Sequence, residues 1–234
     1  MKLPVAILAG GLATRLYPIT ESKPKSLVDV AGEPFICRQL RYLRAQEIES
    51  VVLCVGKYGE MIEDLIGTGK SFDLEVAYSY DGNTLLGTGG ALKQAIAKLG
   101  DHFFVLYGDS YLPIDFSKVR QAFAKQNKLA LMTILKNINR WDKSNVEYQN
   151  ETILEYDKFQ PKPTMHYIDY GLGIMSSKVF DSYPERTAFD LASIYTQLAQ
   201  EGQLAGYEVN ERFYEVGSHQ GLAETNQYFL KSEQ

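Results

Sequence analysis

Short apolar runs alternate with helix-like apolar repeats through the first half of the chain. Runs of apolar residues are typical of strands covered on both faces, and they predict strands at 5–8, 50–55, 75–79 and 103–107. Apolar residues that recur every three or four positions predict helices after Pro34 and at 61–66 and 91–99. This alternation predicts an α/β fold with a mainly parallel sheet and helices on both faces.

The second half of the chain has a less regular pattern. It predicts strands at 130–135, 145–148, 153–156 and 165–169, and a short strand at 213–216. Helical repeats return at 191–198 and at 222–229. We interpret this half as a smaller antiparallel portion added to the parallel sheet. No Pro/Gly/Ser-rich linker marks a boundary, so we expect a single domain over 1–234.

The composition limits which binding partners and which cellular compartment we expect for the protein. The net charge is −5, with 24 basic and 29 acidic residues, which argues against general nucleic-acid binding. No apolar run approaches the roughly 20 residues of a membrane span, so no membrane partner is expected. The apolar start is too short for a signal peptide. Cys37 and Cys54 form neither a disulfide framework nor a metal-binding spacing, and we expect buried, reduced thiols and a cytoplasmic protein.

The turn after the first predicted strand has the features of a phosphate-binding loop. Gly10 and Gly11 let the backbone approach a ligand closely and direct N–H groups towards it. Arg15 adds a forked, permanently charged donor group, and Lys25 supplies a second cation. The spacing matches neither the Rossmann fingerprint nor the Walker A loop. Because parallel sheets bind ligands beyond the carboxyl ends of their strands, these groups should converge in one crevice.

The segment LAGGLATRL at 8–16, followed by PKSL at 24–27, closely resembles the signature of the sugar-phosphate nucleotidyltransferases, L-A-G-G-x-G-T-R-L with a K-P-K segment. The resemblance implies a Rossmann-like, GT-A-like fold, with Arg15 and Lys25 as catalytic cations. It implies nucleotide binding by Leu8, Ala9, Gly10, Gly11 and Thr14. Ala13 occupies the place of a third glycine, and a positive φ there would cost roughly 1 kcal/mol.

A second glycine-rich segment, LGTGGA at 86–91, resembles the family loop that packs against the nucleoside. In the family, groups around this loop read the edge of the base. The resemblance therefore implies nucleotide binding by Asp81, Asn83, Gly87 and Thr88.

Two carboxylates are candidate metal ligands. Transfer of a nucleotidyl group to a sugar phosphate brings two charged phosphates together. A hard divalent cation held by oxygen ligands screens their repulsion. Asp109, in VLYGDS, resembles the magnesium-binding aspartate of the family's N-G-D segment, although Tyr107 stands where asparagine is common. Glu215, in FYEVGS, takes the aspartate's place in a segment resembling D-I-G-T. A solvated or structural carboxylate is the alternative for Glu215. The implied cofactor is Mg²⁺.

Contacts to the acceptor are implied by three further segments. Lys158, after Asp157, resembles the lysine of an E-K pair that holds the acceptor phosphate. Asp169 and Gly171 lie where the family shows N-A-G, and Asn145 lies where relatives touch the sugar. For Asn145 and Asp169, the alternative is that they are ordinary polar residues at the protein surface.

The resemblance implies that a nucleoside triphosphate and a sugar 1-phosphate react to give an NDP-sugar and pyrophosphate. We expect a nucleotide-binding half over 1–112, a sugar-phosphate-binding half over 113–234, and a monomer or homodimer. Guanylyl transfer to a heptose- or mannose-type sugar is favoured. Alternatives are uridylyl or cytidylyl transfer, including to a phosphorylated amino-alcohol, and a nucleotide-sugar sensor without turnover. A glycosyltransferase is disfavoured because the chain has no D-x-D motif.

Overall fold

The computed structural model of the protein describes residues 2–11 and 13–232. The strands in these ranges are β1 (Val5–Leu8), β2 (Asp29–Val30), β3 (Glu33–Pro34), β4 (Ser50–Val55), β5 (Glu75–Tyr80), β6 (His102–Tyr107), β7 (Ser110–Tyr111), β8 (Ala130–Lys136), β9 (Val146–Gln149), β10 (Thr152–Tyr156), β11 (Tyr167–Ser176), β12 (Leu204–Val209) and β13 (Tyr214–Glu215). The α-helices are α1 (Phe35–Ala45), α2 (Gly59–Ile66), α3 (Gly87–Leu99), α4 (Phe116–Lys125), α5 (Leu191–Gln200) and α6 (His219–Ser232). Short 3-10 turns lie at Thr14–Leu16, Lys25–Leu27, Lys70–Phe72 and Ser177–Phe180.

One mixed sheet runs through both halves of the chain. Within the described residues it has nine strands in the order β5-β4-β1-β6-β11-β8-β12-β10-β9. Strands β5, β4, β1 and β6 pair in parallel, and β12 pairs in parallel with β8. Strand β11 is antiparallel to both β6 and β8, and β10 is antiparallel to its neighbours β12 and β9. Among the described strands of this sheet, therefore, only β10 and β11 run against the others.

The structure confirms the predicted strands and helices of the first half, and in the second half it lengthens one predicted strand and adds two further elements. The strand predicted at 165–169 is β11, which continues to Ser176 and lies between β6 and β8. Its apolar pattern is interrupted at Gly171, where φ is +104° and the register with β8 shifts. The full length of β11 therefore could not be predicted from the pattern. The antiparallel pairing expected in the second half is present between β11 and β8 and between β10 and its neighbours, whereas β12 pairs in parallel with β8. Helix α4 and strand β12 were not predicted.

Two apolar cores lie on the two faces of the sheet, because neighbouring strand residues point to opposite faces. In β1, Val5 and Ile7 belong to one core, together with buried residues of α1, α2 and α4, whereas Ala6 belongs to the other, together with α3 and α5. Of the helices in the described residues, none is both long and apolar enough to cross a membrane.

The carboxyl ends of β1, β4, β5 and β6 meet at one edge of the sheet, because these neighbouring strands are parallel. The turns that follow carry Gly10, Gly56, Asp81 and Asp109. This edge is where the first-half motifs converge.

Candidate active site

A cavity of about 220 Å³ lies at this edge of the sheet. Residues from the first turn, the 3-10 turn at Lys25, the loop before α3 and the end of β6 share its wall. The predicted residues that line it are Leu8, Ala9, Gly10, Gly11, Lys25, Asp81, Gly87, Thr88 and Asp109. Thr14 and Asn83 are exposed and lie outside this lining, and their binding roles stay predictions.

Close backbone packing forms the floor of the cavity. Ala9 N–H donates to the carbonyl oxygen of Cys54 (2.8 Å), and Gly108 N–H donates to that of Leu8 (3.0 Å). A Cβ at Gly56 would lie 2.7 Å from the carbonyl oxygen of Gly10, and one at Gly108 would lie 2.7 Å from that of Leu8. Any side chain at these two positions would push the strand ends apart. Gly56 was not identified from the sequence, because a single glycine after a strand is common.

Ala13 has the left-handed backbone conformation that favours glycine, with φ 52° and ψ 38°. The conformation is held by its carbonyl oxygen, which accepts from the Thr20 hydroxyl (2.8 Å) and from Leu16 N–H (3.1 Å). A non-glycine residue in this region costs about 1 kcal/mol. The turn that Ala13 opens carries Arg15.

Asp109 is fixed by contacts from three directions. The buried Gln39 amide of α1 donates to the carbonyl oxygens of Tyr107 (3.1 Å) and Ser110 (2.8 Å), on either side of Asp109. Val216 N–H donates to the Asp109 carbonyl oxygen (2.8 Å). Lys25 Nζ donates to the carboxylate oxygen Oδ2 (2.6 Å). Burial disfavours the ionised carboxylate, but the Lys25 charge together with the hydrogen bonds from Lys25 and Ser110 outweighs this effect, and the pKa of Asp109 is lowered.

Glu215 and Arg15 complete this cluster. Pairing of β7 with β13 places Glu215 opposite Ser110, next to Asp109. The position of a Cβ on Gly217 would lie 2.6 Å from Glu215 Oε2, 3.0 Å from Asp109 Oδ2 and 3.3 Å from Arg15 Nη2. The cation and the two carboxylates therefore meet around Gly217, and a side chain there would displace their ends.

The Glu215 carboxylate is turned towards the start of α6. The Ser218 hydroxyl donates to Oε1 (2.6 Å), and Gly217 N–H donates to Oε2. The longer glutamate side chain thus reaches the same corner as Asp109 without displacing the backbone pair. The described residues contain no group of three or more His, Cys, Asp or Glu that could hold a metal by themselves. Two carboxylate oxygens here fit a hard divalent cation whose other ligands come from phosphate and water.

Lys158 is joined through Asp190 to Thr88 of the glycine-rich segment at 86–91. Lys158 Nζ donates to Asp190 Oδ2 (2.8 Å). The Thr88 hydroxyl donates to Asp190 Oδ1 (3.1 Å) and accepts from Leu191 N–H (2.8 Å). Asp190 also caps α5 by accepting from Ala192 N–H (2.9 Å). The Asp190 position is typical of a helix cap and could be recognised as such, but its partners cannot be identified from the sequence.

Asn145, Asp169 and Gly171 form a connected group between β9 and β11. The Asn145 side-chain oxygen accepts from Asp169 N–H (2.9 Å), and Asp169 Oδ1 accepts from Gly171 N–H (3.0 Å). Burial raises the pKa of Asp169 to about 6, against smaller opposing effects of the Gly171 N–H and the Lys158 charge. A Cβ on Gly171 would lie 3.5 Å from the Tyr107 ring, which also lines the cavity. Gly171, one of the predicted acceptor residues, therefore lies beside the cavity that the predicted nucleotide residues line.

A family model described as "Nucleotidyl transferase" matches residues 5–232, and the chain belongs to this family. D-glycero-alpha-D-manno-heptose 1-phosphate guanylyltransferase from Campylobacter jejuni is 27% identical over 214 residues, which are 90% of this chain and 93% of that protein. N-acetylmuramate alpha-1-phosphate uridylyltransferase from Neisseria meningitidis is 37% identical over 116 residues, which are 49% of this chain and 50% of that protein. Several longer relatives are matched over 56–64% of their own length.

The architecture also has a close counterpart among solved structures. A Bacillus anthracis protein assigned as a glucose-1-phosphate thymidylyltransferase, in complex with sucrose, superposes with a TM-score of 0.85. The two are 25% identical, and the match covers 96% of this chain and 94% of that chain. The predicted α/β nucleotidyltransferase fold is therefore confirmed.

Proposed function

We propose that the protein converts a nucleoside triphosphate and a sugar 1-phosphate into an NDP-sugar and pyrophosphate. The observation that carries the proposal is the convergence of Arg15, Lys25, Asp109 and Glu215 beside a cavity that Lys25 and Asp109 line. A reaction between two polyanions needs cations and metal-binding carboxylates in one place. The match of nearly the whole chain to the nucleotidyl transferase family supports the same reaction class.

In the proposed reaction, an oxygen of the sugar phosphate attacks the α-phosphorus of the nucleotide. A new phosphorus–oxygen bond forms, the bond between the α-phosphorus and the bridging oxygen breaks, and pyrophosphate leaves with the electron pair. The attacking oxygen is already anionic near neutral pH, so no general base is required. Arg15 would hold the leaving pyrophosphate, Lys25 the α-phosphate, and Lys158 the acceptor phosphate. Positioning and charge neutralisation then supply the rate enhancement.

Mg²⁺ is the cofactor we assign to the Asp109–Glu215 corner. Mg²⁺ commonly binds through one or two carboxylates and completes its shell with substrate phosphates and water. Asp109 and Glu215 supply such a pair: Asp109 contacts Lys25, and both carboxylates lie close to Arg15. When bound, the ion would neutralise charge on the reacting phosphates.

For the base, Asp81 supports guanine. Its carboxylate lines the cavity, is half-buried, and accepts from Leu86 N–H through Oδ2 (3.1 Å). A carboxylate only accepts hydrogen bonds, and guanine has two adjacent donors on its pairing edge, N1–H and the 2-amino group. The other bases offer one donor group on that edge. The named activity of the Campylobacter jejuni relative supports the same base.

For the acceptor, we infer a heptose- or mannose-type sugar 1-phosphate, on the basis of the same relative. Asn145, Asp169 and Gly171 would line the sugar pocket in the half over 113–234. We place this reaction in the cytoplasm, where the buried free thiols Cys37 and Cys54 stay reduced.

The proposal is tested by measuring pyrophosphate release with ATP, GTP, CTP, UTP and dTTP, each with a panel of sugar 1-phosphates and with phosphocholine. We expect the highest kcat/KM with GTP and a manno-configured sugar 1-phosphate. Asp81→Asn should reduce the preference for GTP by about tenfold or more, because one base contact discriminates by about 1–3 kcal/mol. Release with UTP or CTP alone would contradict the guanylyl assignment. Absence of release with every pair would contradict the reaction itself.

A further inference from the structure

The segment before α5 is hydrogen-bonded to the glycine-rich segment at 86–91 (the nucleotide loop). Gly89 N–H and Gly90 N–H at the start of α3 donate to the carbonyl oxygen of Phe189 (2.9 and 3.3 Å), and Phe189 N–H donates back to Leu86 (3.0 Å). A Cβ at Gly89 would lie 2.2 Å from the Phe189 ring. The two segments are therefore held as one unit by backbone bonds and by direct contact.

Asp190 follows this segment and links it to Lys158. One carboxylate oxygen accepts from the Thr88 hydroxyl and from Ala192 N–H, and the other accepts from Lys158 Nζ. Thr88 lines the nucleotide cavity. A lysine ammonium has three N–H donors, so the bond to Asp190 leaves two that can turn towards a phosphate.

We propose that Asp190 is a positioning residue: it holds the Lys158 ammonium at a fixed place relative to the nucleotide loop, so that the acceptor phosphate meets the α-phosphate in line. The inference rests on the proposed function, in which Lys158 holds that phosphate. An unrestrained lysine has a long flexible stem, and its side chain is 44% exposed here. A small misplacement of a reactant costs rate even when binding is retained.

The expected kinetic signature is a fall in kcat without a rise in the KM for the acceptor. The Asp190 charge repels an incoming phosphate, so Asp190→Asn removes that repulsion while it loosens Lys158. Asparagine is as good a helix cap as aspartate, so a purely structural role would leave kcat unchanged. We expect Asp190→Asn to lower kcat about tenfold, with the acceptor KM unchanged or lower. Asp190→Ser is a second cap-competent variant that is too short to reach Lys158, and it should behave similarly.

A matched control is Asp115→Asn. Asp115 caps α4 through Ser117 N–H and Lys118 N–H and forms an ion pair with Lys118 (3.9 Å). It thus carries the same cap and charge pair, away from the cavity lining. We expect its kcat and both KM values to match the parent protein.

A double-mutant cycle with Lys158→Met tests whether Asp190 acts through Lys158. We expect Asp190→Asn to have no further effect on kcat in the Lys158→Met background. The inference would be overturned if Asp190→Asn retained kcat within twofold, or if its effect were fully additive to that of Lys158→Met. Failure of the proposed function has a different signature, since the unmutated protein would then release no pyrophosphate.

Discussion

Lys25 Nζ lies 2.6 Å from Asp109 Oδ2, although the two residues are 84 positions apart in the chain. The contact joins a cation of the first-turn segment to the carboxylate at the end of β6. Both side chains are about one-fifth exposed (21% each), so ligand can reach the pair. The proposed chemistry depends on this pairing, because the cation and the metal-binding carboxylate must act on the same phosphates.

The first prediction concerns Lys25. Lys25→Met removes a charge whose interaction strengthens as the transition state forms, and we expect kcat to fall by about 10²-fold or more. Steady-state pyrophosphate release measures this effect. Lys23→Met is the matched control, because Lys23 lies two positions earlier and pairs with the exposed Asp29 (4.0 Å). Equal rates for the two variants would remove Lys25 from the mechanism.

The second prediction concerns the metal. Asp109→Asn keeps the shape of the side chain but removes its charge, so the concentration of Mg²⁺ at half-maximal rate should increase by about tenfold or more. A Mg²⁺ titration of pyrophosphate release measures this shift. Asp29→Asn, at an exposed carboxylate of β2, should leave the titration unchanged. A titration curve for Asp109→Asn that overlies the parent's would show that Asp109 is not a ligand.

The third prediction concerns the strained Ala13. Glycine tolerates φ 52°, so Ala13→Gly should raise the free energy of unfolding, by up to about 1 kcal/mol. The gain is reduced by the larger entropy of glycine in the unfolded chain. Urea unfolding measures the change. In the exposed, helical Ala124 of α4, the same substitution should destabilise by up to about 1 kcal/mol. Destabilisation by both substitutions would contradict the left-handed conformation at Ala13.

The fourth prediction concerns the pH dependence of stability. Burial raises the pKa of Asp169 from 3.8 to about 6, so the folded protein retains a proton that the unfolded chain has released. Stability should therefore decrease as pH rises from about 4 to about 6 and then level off. Asp169→Asn should remove this part of the dependence. Its free energy of unfolding, measured with urea relative to the parent, should increase across that interval.

A control of opposite sign is Asp115, whose pKa is lowered by hydrogen bonds from Ser117 and then Lys118. The parent protein should therefore lose stability relative to the Asp115→Asn variant as pH falls below about 4. If the difference between the parent and Asp169→Asn were constant with pH, the pKa of Asp169 would not be raised in the folded protein.

Local features of the site were predictable, and long-range contacts were not. The glycine turn at Gly10 and the carboxylate Asp109 both end apolar strands, so the α/β pattern alone places them at one edge of the sheet. The sequence indicated that a positive φ at Ala13 would be strained, because the residue stands in place of a glycine. By contrast, the bonds of Asp190 to Lys158 and to Thr88 join residues 32 and 102 positions apart. No local pattern encodes such pairings.

Two further features could not be predicted from the sequence, for physical reasons. Gln39 supports the Asp109 turn from a helix face that the apolar repeat assigns only to the core. Strand β11 is broken as an apolar pattern by Gly171, although tertiary packing continues it to Ser176. In both cases the packed fold determines the outcome.

The central claim is that cations and carboxylates from separate loops bring two polyanions to reaction. Phosphorus NMR of the protein with GTP, a manno-configured sugar 1-phosphate and Mg²⁺ tests it most directly. We predict that the pyrophosphate and sugar nucleotide signals grow equally. When the sugar phosphate is left out, the spectrum should stay as it was at the start. Orthophosphate and GDP as the products, or unchanged spectra with every nucleotide and sugar phosphate tried, would contradict the account.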